Sequence, residues 1–516
     1  MTFNINNNFS NFISSIIGKD NDGKEFEKFV KWFLKNDSQW KTQIKKIWLW
    51  DEFPQRWGRD KGIDLVFRHN SGELWAVQAK CYNEDYYISK PDIDTFLSES
   101  GRKLIKKRLL ISTTDKIGKN AKDVLKSQEK SVTLFLKNDF EKSLIKFPNS
   151  FKDLHKSTFK KKPKPYKYQS KAINDVANGF KKDQRGQLLM ACGTGKTFTS
   201  MWIKEKIKSK LTLVLVPSLN LLSQTTWDWA YATNKKIDIL CVCSDISVGK
   251  NDDHLIEELI DVSFPVENDP KKIGKFINKK GDKVLFCTYQ SSHLIQQIQK
   301  NQKVKNFDLL IADEAHRCAS AEHDSNYFTI VLNDKKIRAK NRLFLTATPR
   351  TYESNIKKIA AERGIVVHGM DDEKIFGKVF HSLTFAEAIN HNPPLLSPYQ
   401  IVIIGVEDPE VEKIITNREL VKFKATETFT DAERLATIIS FLKSVRDYKL
   451  KNVISFHSRV KRAEKFSNHL TQIKTKLTDN YIKRIKLSSD FVSGTMPTFE
   501  RKKKLDQLKN VKKNET

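Results

Sequence analysis

The sequence predicts an α/β chain in which a small mixed α/β domain precedes two parallel-sheet domains. Short apolar runs recur after residue 185, namely GQLLMA (186–191), LTLVLVP (211–217), KVLFCT (283–288), DLLIAD (308–313) and RLFLTAT (342–348). Strands that are apolar on both faces and alternate with helical segments are typical of a parallel sheet covered by helices. A second series follows near residue 395, with QIVIIGV (400–406), NVISFHS (452–458) and IKLSSDFVSG (485–494).

These patterns divide the chain into four segments. We expect a mixed α/β domain at 1–150, a basic linker at 151–165, a first parallel-sheet domain at 166–390 and a partial second one at 391–516. The linker region contains KSTFKKKPKPYK (156–167). Its lysines and prolines favour a solvated, flexible tether over a specific nucleic-acid contact.

Composition indicates an intracellular protein with a polyanionic partner. The 516 residues carry 92 Lys+Arg against 62 Asp+Glu, a net charge of +30, which favours nucleic acid, although lysine is abundant along the whole chain and part of the excess can be coding bias. The six cysteines are scattered, as in a reduced cytosolic protein. No apolar run approaches the ~20 residues that span a bilayer, and the start lacks a signal-peptide pattern. We therefore expect a cytoplasmic protein with no membrane partner.

The first domain contains an amphipathic pattern, EFEKFVKWFL (25–34), and a hairpin, GIDLVFRHNSGELWAVQAK (62–80). A turn at His69–Gly72 pairs Arg68 with Glu73 and places Asp64 opposite Val77.

Side chains alternate along a strand, so Gln78 and Lys80 share one face of this hairpin. An acid, an amide and an amine therefore converge at its open end, near Asp64. For an isolated hairpin, a solvated strand end explains the same pattern.

The segment MACGTGKT (190–197) lies where a predicted strand meets a helix. In such a loop, Gly193, Thr194 and Gly195 wrap a phosphate with backbone N–H groups, Lys196 reaches the β and γ phosphates, and Thr197 holds Mg²⁺. Met190 occupies the position of the first glycine in the strict pattern. The sequence thus predicts an ATP site with Mg²⁺.

Two further segments follow in the order expected of an ATP-driven motor. LLIADEAH (309–316) places Asp313 to bind Mg²⁺ and Glu314 to orient or deprotonate the attacking water at the tip of a strand. LTATPR (345–350) places Thr346 and Thr348 at another strand end.

On these motifs, residues 166–516 resemble a superfamily 2 helicase or translocase of the DEAD/DEAH type, which implies two RecA-like lobes. The resemblance implies that Gln169 reads adenine and that Thr346 and Thr348 couple the ATP state to nucleic-acid contact. It implies the same coupling role for His316, for which a core histidine is the alternative. Strand-tracking motifs would be VPSLNLLSQT (216–225) and CTYQS (287–291), and ISFHSRVKRAEKF (454–466) resembles the opening motif of the second lobe.

Joined to such a motor, the hairpin resembles a PD-(D/E)xK nuclease of the Mrr-like kind, and the first domain is then a restriction-endonuclease-like fold. This resemblance implies that Asp64 binds Mg²⁺ with help from Gln78 or the Ala79 carbonyl. Lys80 would position water or stabilise charge on the phosphate. Glu27 fits the extra acid of the family, and a surface helix glutamate is its alternative.

The order nuclease, linker, motor is similar to the N-terminal half of Type ISP restriction-modification enzymes. That implies an ATP-dependent translocase on double-stranded DNA with a Mg²⁺-dependent endonuclease, acting in restriction or phage defence. Methyltransferase and target-recognition domains have no trace in the 516 residues, and we expect them in absent domains or subunits.

Two alternatives stay open from the sequence. One is a repair or mobile-element DNA helicase whose N-terminal domain binds DNA without cutting it, and the other is an RNA-remodelling ATPase. Since no arginine-bearing final motif follows SGTMPTFERKKKLDQL (493–508), we also expect this chain alone to hydrolyse ATP poorly.

Overall fold

The computed structural model describes residues 9–58, 62–159, 161–244, 266–301, 303–321, 326–362, 366–403, 432–476, 487–493, 496, 501, 504–505 and 507–508. The described residues up to Ser397 form one compact unit, and those from Pro398 onward belong to a second.

The N-terminal part of the first unit is built on a five-stranded mixed sheet in the order β1-β2-β3-β4-β5. Its elements are α1 (Phe9–Ser14), α2 (Asp22–Asn36), β1 (Ile44–Leu49), β2 (Leu65–His69), β3 (Leu74–Lys80), α3 (Lys90–Glu99), β4 (Ile105–Ser112), α4 (Lys119–Lys126), β5 (Val132–Phe135), α5 (Lys137–Lys142), β6 (Ile145–Lys146) and β7 (Thr158–Phe159). The strands β1 to β3 are antiparallel, whereas β4 and β5 join in parallel.

Helix α2 packs on one face of this sheet through the apolar residues that its spacing predicts. Phe29 and Phe33 are fully buried and lie within 5.9 Å of one another, ring centre to ring centre. Phe140 of α5 packs edge-to-face against Phe33, with the ring centres 4.7 Å apart. Beyond the end of α2, the buried carboxylate of Asp37 accepts the backbone N–H groups of Gln39 and Trp40 at 3.0 and 3.1 Å, which fixes the chain direction into β1.

The hairpin of β2 and β3 forms as predicted, but its register differs by one residue. Arg68 lies opposite Leu74 rather than Glu73, and Leu65 lies opposite Val77. The reason is the turn, in which the His69 N–H donates to the Glu73 carbonyl at 2.8 Å and so leaves three residues in the loop. Continued along the strands, this register places Asp64 across from Gln78.

The second half of the first unit is an eight-stranded parallel sheet in the order β11-β10-β12-β9-β13-β14-β8-β15. The elements are α6 (Lys167–Gly179), β8 (Arg185–Met190), α7 (Lys196–Lys206), β9 (Leu211–Val216), α8 (Leu219–Ala232), β10 (Asp238–Val242), β11 (Val266–Glu267), α9 (Pro270–Asn278), β12 (Lys283–Thr288), α10 (Ser292–Asn301), β13 (Phe307–Ala312), β14 (Ala339–Thr346), α11 (Ser354–Glu362), α12 (Glu373–Phe376), β15 (Lys378–Leu383) and α13 (Phe385–Asn390). All five strands predicted here from apolar runs are confirmed.

Both faces of the eight-stranded sheet are covered. One apolar core contains Leu188, Ile311 and Trp229, and the other contains Leu285, Leu310 and Phe344. Residues one apart on a strand, such as Leu310 and Ile311, thus enter opposite cores. This is the reason why the strands read as continuous apolar runs.

The edge strand β15 was not predicted, because KVFHSL lacks a continuous apolar run. It pairs with β8 in parallel and inserts the Phe380 ring into a space that two glycines leave open. A Cβ on Gly179 would lie 2.5 Å from this ring, and one on Gly186 would collide with it.

The described residues of the second unit contain two α-helices, α14 (Ala432–Asp447) and α15 (Val460–Lys476). Among these residues no segment is paired as a strand. The predicted strand 452–458 is described and has no ladder partner, and a strand requires one to satisfy its backbone groups. The predicted strands 400–406 and 485–494 lie partly outside the described residues, as do the segments 429–442 and 493–508.

The basic segment between the two sheets has mostly exposed residues among those described, apart from the buried Leu154, and it is held at several points. β6 and β7 pair as a two-stranded ribbon, with a short 3₁₀ helix (Phe151–Lys156) between them. Further along, the side chain of Lys162 donates to the Thr233 carbonyl.

Candidate functional site

The phosphate-binding loop follows β8 and leads into α7. Gly193 and Gly195 have φ angles of +85° and +83°, a left-handed conformation that only glycine adopts without strain. Lys196 begins α7, and its Nζ donates to the Met190 carbonyl at 3.2 Å. The loop closes on itself through the Thr194 hydroxyl, which donates to the Ala191 carbonyl at 2.7 Å. The predicted loop geometry is therefore present, with Met190 serving as the buried last residue of the strand.

Helix α6 braces this loop from outside. The Gln169 side chain is 3% exposed. Its Nε2 donates to the Thr194 carbonyl at 3.1 Å, and its Oε1 accepts the Tyr166 N–H at 3.0 Å. The Tyr168 hydroxyl donates to the same Thr194 carbonyl at 3.1 Å. Gln169 thus positions the loop, whereas its predicted adenine contact remains a prediction. Sequence reasoning missed Tyr168, which precedes Gln169 by one residue.

The acidic pair lies beside the loop because β13, β14 and β8 are neighbours in the parallel sheet. Asp313 and Glu314 directly follow β13, so they stand at the same sheet edge as the loop after β8. Burial, and secondarily the charge of Glu314, raise the pKa of Asp313 to about 6, while Lys196 acts in the opposite direction. Lys196 is therefore close enough to Asp313 for the two charges to interact.

Glu314 has a left-handed backbone, with φ at +50°. A residue with a Cβ pays about 1 kcal/mol or more for this conformation, and such strain is concentrated at functional sites. In this conformation the Glu314 carboxylate lies beside His316, whose Nδ1 is 3.4 Å from Glu314 Oε2.

A chain of polar contacts runs from Glu314 to the end of β14. His316 Nδ1 also lies 3.0 Å from the Thr346 hydroxyl, and the Thr348 N–H donates to that hydroxyl at 3.1 Å. Burial lowers the pKa of His316, which favours the neutral form of the ring. The structure thus brings together the four residues that the sequence assigned to catalysis and coupling.

A residue of the predicted strand-tracking motif supports the acidic pair from below. The buried Tyr289 hydroxyl donates to the Asp313 carbonyl at 2.8 Å. Its neighbour Gln290 donates weakly to the Pro217 carbonyl at 3.5 Å, and its Oε1 has no hydrogen-bond partner among the described residues. The motifs after β9 and β12 therefore meet at one sheet edge.

The second candidate site lies at the open end of the β2–β3 hairpin. Asp64 Oδ2 accepts the Ala79 N–H at 2.6 Å. Gln78 is 2% exposed, and its Oε1 has no hydrogen-bond partner among the described residues. Since Val77 and Ala79 enter the core beneath α2, alternation places Gln78 and Lys80 on the other face, next to Asp64.

This donor set fits a hard cation. A carboxylate and an unsatisfied buried amide oxygen are ligand types that Mg²⁺ prefers, so Asp64 and Gln78 are the residues that would hold it. Among the residues that the structure describes, no group of three or more His, Cys, Asp or Glu could hold a metal ion. A cation here would therefore depend on the amide and on backbone or water oxygens.

Glu27 is placed differently from the other predicted residues. It lies on α2, with its carboxylate 3.2 Å from Lys24 Nζ, and α2 covers the sheet face opposite Gln78. The structure therefore brings Asp64 and Gln78 together, and the role of Glu27 as a further acid remains a prediction.

An aromatic and acidic cluster beside the hairpin was missed from the sequence. The hydroxyls of Tyr82 and Tyr86 both donate to the Asp92 carboxylate at 3.0 Å. Burial is the main cause of a raised Tyr82 pKa, and the nearby Asp92 and Asp64 charges contribute. Tyr82 follows Lys80 by two residues, so its position next to a candidate catalytic lysine could have indicated it from the sequence.

Two family comparisons cover most of the first unit. Residues 35–157 match the family described as restriction endonuclease, and residues 162–351 match the Type III restriction enzyme, res subunit.

Among the residues that the structure describes, no helix has the length and apolar character that a membrane span requires.

Individual relatives agree with this division. The solved ATP-dependent Type ISP restriction-modification enzyme LlaBIII, bound to DNA, is 26% identical with a TM-score of 0.74 and covers 98% of this chain and 34% of its own. Probable helicase A859L of African swine fever virus is 32% identical over 49% of this chain in the isolate Tick/Malawi/Lil 20-1/1983, and 28% identical in the isolate Pig/Kenya/KEN-50/1950.

The chain spans about a quarter of the length of these curated relatives and a third of the solved enzyme. The resemblance stated from the sequence is confirmed. The chain therefore carries a restriction-endonuclease domain followed by a helicase domain of the Type III res-subunit kind, in the fold of a Type ISP restriction-modification enzyme.

Proposed function

We propose that this chain is the nuclease and motor part of a restriction or phage-defence enzyme that moves along double-stranded DNA with ATP and cuts it. One observation carries the proposal: a phosphate loop beside an acidic pair and a hairpin with an open buried acceptor belong to one compact unit. An ATPase alone has no use for the second site. DNA as the substrate is supported by the net charge of +30 and by the relative that was solved bound to DNA.

ATP would bind at the loop after β8. Backbone N–H groups around Gly193 and Gly195 would hold the phosphates, and Lys196 would reach the terminal ones. Thr197 and Asp313 would hold Mg²⁺, which neutralises charge on the phosphates when it is bound. Glu314 would orient and deprotonate the attacking water.

The state of the nucleotide would pass to the DNA through β14. Glu314 and Thr346 both contact His316, so displacement of the carboxylate by ATP and water changes the hydrogen bonds of the β14 end. Thr348, whose N–H donates to the Thr346 hydroxyl, is exposed. It would therefore be accessible to a DNA strand that crosses the sheet edge. Gln290 Oε1, which has no hydrogen-bond partner among the described residues, lies at the same edge.

Strand cleavage would occur at Asp64, Gln78 and Lys80. Asp64 and Gln78 would hold a Mg²⁺ ion, which polarises a phosphate and its attacking water when it is bound. The Ala79 N–H fixes the carboxylate, and Lys80 stabilises the negative charge that develops on the phosphate. Glu27 contributes as a further acid only if α2 presents it toward the hairpin end.

We also propose that modification and target recognition come from domains or subunits beyond these 516 residues, and that the protein acts in the cytoplasm. The solved enzyme of like fold is named a restriction-modification enzyme and is about three times as long as the matched part.

Supercoiled plasmid with Mg²⁺ tests the nuclease. We expect slow nicking that is lost in Lys80→Ala and kept in the matched control Lys90→Ala, an exposed lysine of the same domain paired with Asp94. EDTA should abolish nicking in the wild type and in Lys90→Ala. Nicking that persists in Lys80→Ala after purification to homogeneity would contradict the assignment.

A DNA helicase with a binding but non-cutting N-terminal domain is the second candidate. It is favoured by the viral relatives, which are named probable helicases and match half of the chain. The discriminating result is DNA-stimulated ATP hydrolysis without nicking at any divalent cation concentration. An RNA-remodelling role predicts stronger ATPase stimulation by RNA than by duplex DNA.

A further inference from the structure

The nuclease sheet and the motor sheet meet through the turn end of the β2–β3 hairpin. We propose that this contact fixes the nuclease domain onto the first motor lobe, so that the lobe carries the nuclease as a rigid appendage instead of trailing it on a tether. The contact itself is independent of activity. Its use in cutting rests on the proposed function.

An alternating cluster of charges forms the centre of the contact. Lys107 of β4 lies 3.3 Å from the Glu267 carboxylate of β11 and donates to the Val266 carbonyl at 2.8 Å. Lys272 of α9 lies 2.8 Å from Glu73 and 3.6 Å from Glu267. Cations and anions from the two domains thus alternate across the boundary.

The Lys107–Glu267 pair of this cluster is shielded from solvent, which strengthens it, whereas the Lys272 side chain is 41% exposed. The side chains of Lys107 and Glu267 are 13% and 10% exposed. Ion pairs of this kind are screened far less by salt than exposed ones. Burial and the Lys107 charge lower the pKa of His69 to about 4, so this ring adds no positive charge to the cluster at neutral pH.

Apolar packing supports the same boundary from α8. Trp227 packs against the core of the nuclease domain, with its ring 6.4 Å from that of Phe135. Trp227 faces away from the core of its own sheet, which its neighbour Trp229 enters. Helix α8 therefore packs one tryptophan ring against the core of each domain.

The connecting segment is tied to the end of the same helix. The Tyr231 hydroxyl donates to the Lys161 carbonyl at 2.5 Å, and Lys162 donates to the Thr233 carbonyl. These bonds shorten the free length of the segment that the sequence predicts as a tether. Three separate sets of contacts thus join the two domains.

The strand β3 links this boundary to the nuclease site. Glu73 directly precedes β3 at the boundary, and Lys80 ends it at the open end of the hairpin. At ~3.3 Å per residue these positions are about 20 Å apart along one strand. A docked boundary therefore fixes the distance of the cutting site from the edge of the motor sheet.

Limited trypsin digestion of the whole chain tests the docking without Mg²⁺ or ATP. Glu267→Lys places a cation against Lys107 and Lys272, so it should open the boundary and raise the rate of cleavage within residues 156–162 by about 10-fold or more. The matched control Asp94→Lys reverses an acid in an exposed ion pair of the nuclease domain and should leave the rate unchanged.

A charge-swap variant distinguishes loss of the ion pair from a general folding defect. Lys107→Glu combined with Glu267→Lys restores one ion pair and should return at least half of the lost protection, and Glu267→Gln should show an intermediate rate. A wild-type rate in Glu267→Lys, or a swap as sensitive as the single variant, would overturn the docking. A failure of nicking or of ATP hydrolysis would contradict the proposed function and leave this result untouched.

Discussion

The Ala79 N–H donates to the Asp64 carboxylate at 2.6 Å, across the open end of the β2–β3 hairpin. This bond holds one carboxylate oxygen of Asp64 in place against the end of β3.

Asp64→Asn tests the cation site. The amide is nearly the same size but carries no charge, so we expect Mg²⁺-dependent nicking to fall by at least ~100-fold, since even the outer partners of metal ligands contribute 10–100-fold. In an enzyme that also supplies the arginine-bearing motif, DNA-stimulated ATP hydrolysis should persist, because the nucleotide site is built on a different sheet. Asp94→Asn is the control and should nick normally. Equal loss of both activities would sink the assignment.

Lys196→Ala and Glu314→Gln test the motor site in different ways. Lys196→Ala should weaken ATP binding measured by calorimetry, because the phosphates lose their cation. In an enzyme that also supplies the arginine-bearing motif, Glu314→Gln should bind ATP normally and lower turnover by roughly 10²–10⁴, the usual contribution of a general base. Lys206→Ala, on the exposed end of α7, should change neither quantity. Unchanged turnover in Glu314→Gln would exclude it as the base.

The left-handed backbone of Glu314 predicts a trade between stability and activity. Glycine adopts φ of +50° without a Cβ clash, so Glu314→Gly should have a free energy of unfolding about 1 kcal/mol higher than Glu314→Ala in urea. Neither variant should hydrolyse ATP. At Lys358, inside α11, the order should reverse, with glycine about 1 kcal/mol less stable than alanine. The same order at both positions would argue against strain at Glu314.

The buried carboxyl of Asp37 predicts a pH dependence. Burial raises its pKa to about 6, so the folded state binds a proton more readily than the unfolded state. Stability should rise as the pH falls through 6 toward 4. Between pH 7 and pH 5 the wild type should gain about 1 kcal/mol relative to Asp37→Asn, measured by urea unfolding. The control Asp94→Asn should show the same dependence of the free energy of unfolding on pH as the wild type. A loss of stability over this range relative to Asp37→Asn would refute the prediction.

Local patterns predicted the parallel sheet, because each of its strands is marked by residues close in sequence. Apolar runs mark strands buried on two faces, and the segment 190–197 contains its own turn and helix start. Asp313 and Thr346 could be placed near the loop because carboxyl ends of parallel strands share one edge.

Features that depend on distant partners were not predictable. The hairpin register depends on which backbone N–H closes the turn, and in the structure the His69 N–H does so. The docking of Lys107 on Glu267 joins residues 160 positions apart, and lysines are too common in this chain for any one to indicate a partner. β15 is a strand only because Gly179 and Gly186 leave room for Phe380.

The place of β8 in its sheet has a consequence for synthesis of the chain. β8 is the first strand of the eight to leave the ribosome, yet its neighbours β14 and β15 are the last. About 150 residues separate Met190 from Ala339, which takes roughly 8–30 s at ~5–20 residues per second. For that time both edges of the strand that leads into the phosphate loop lack their final partners and are open to pairing with other chains.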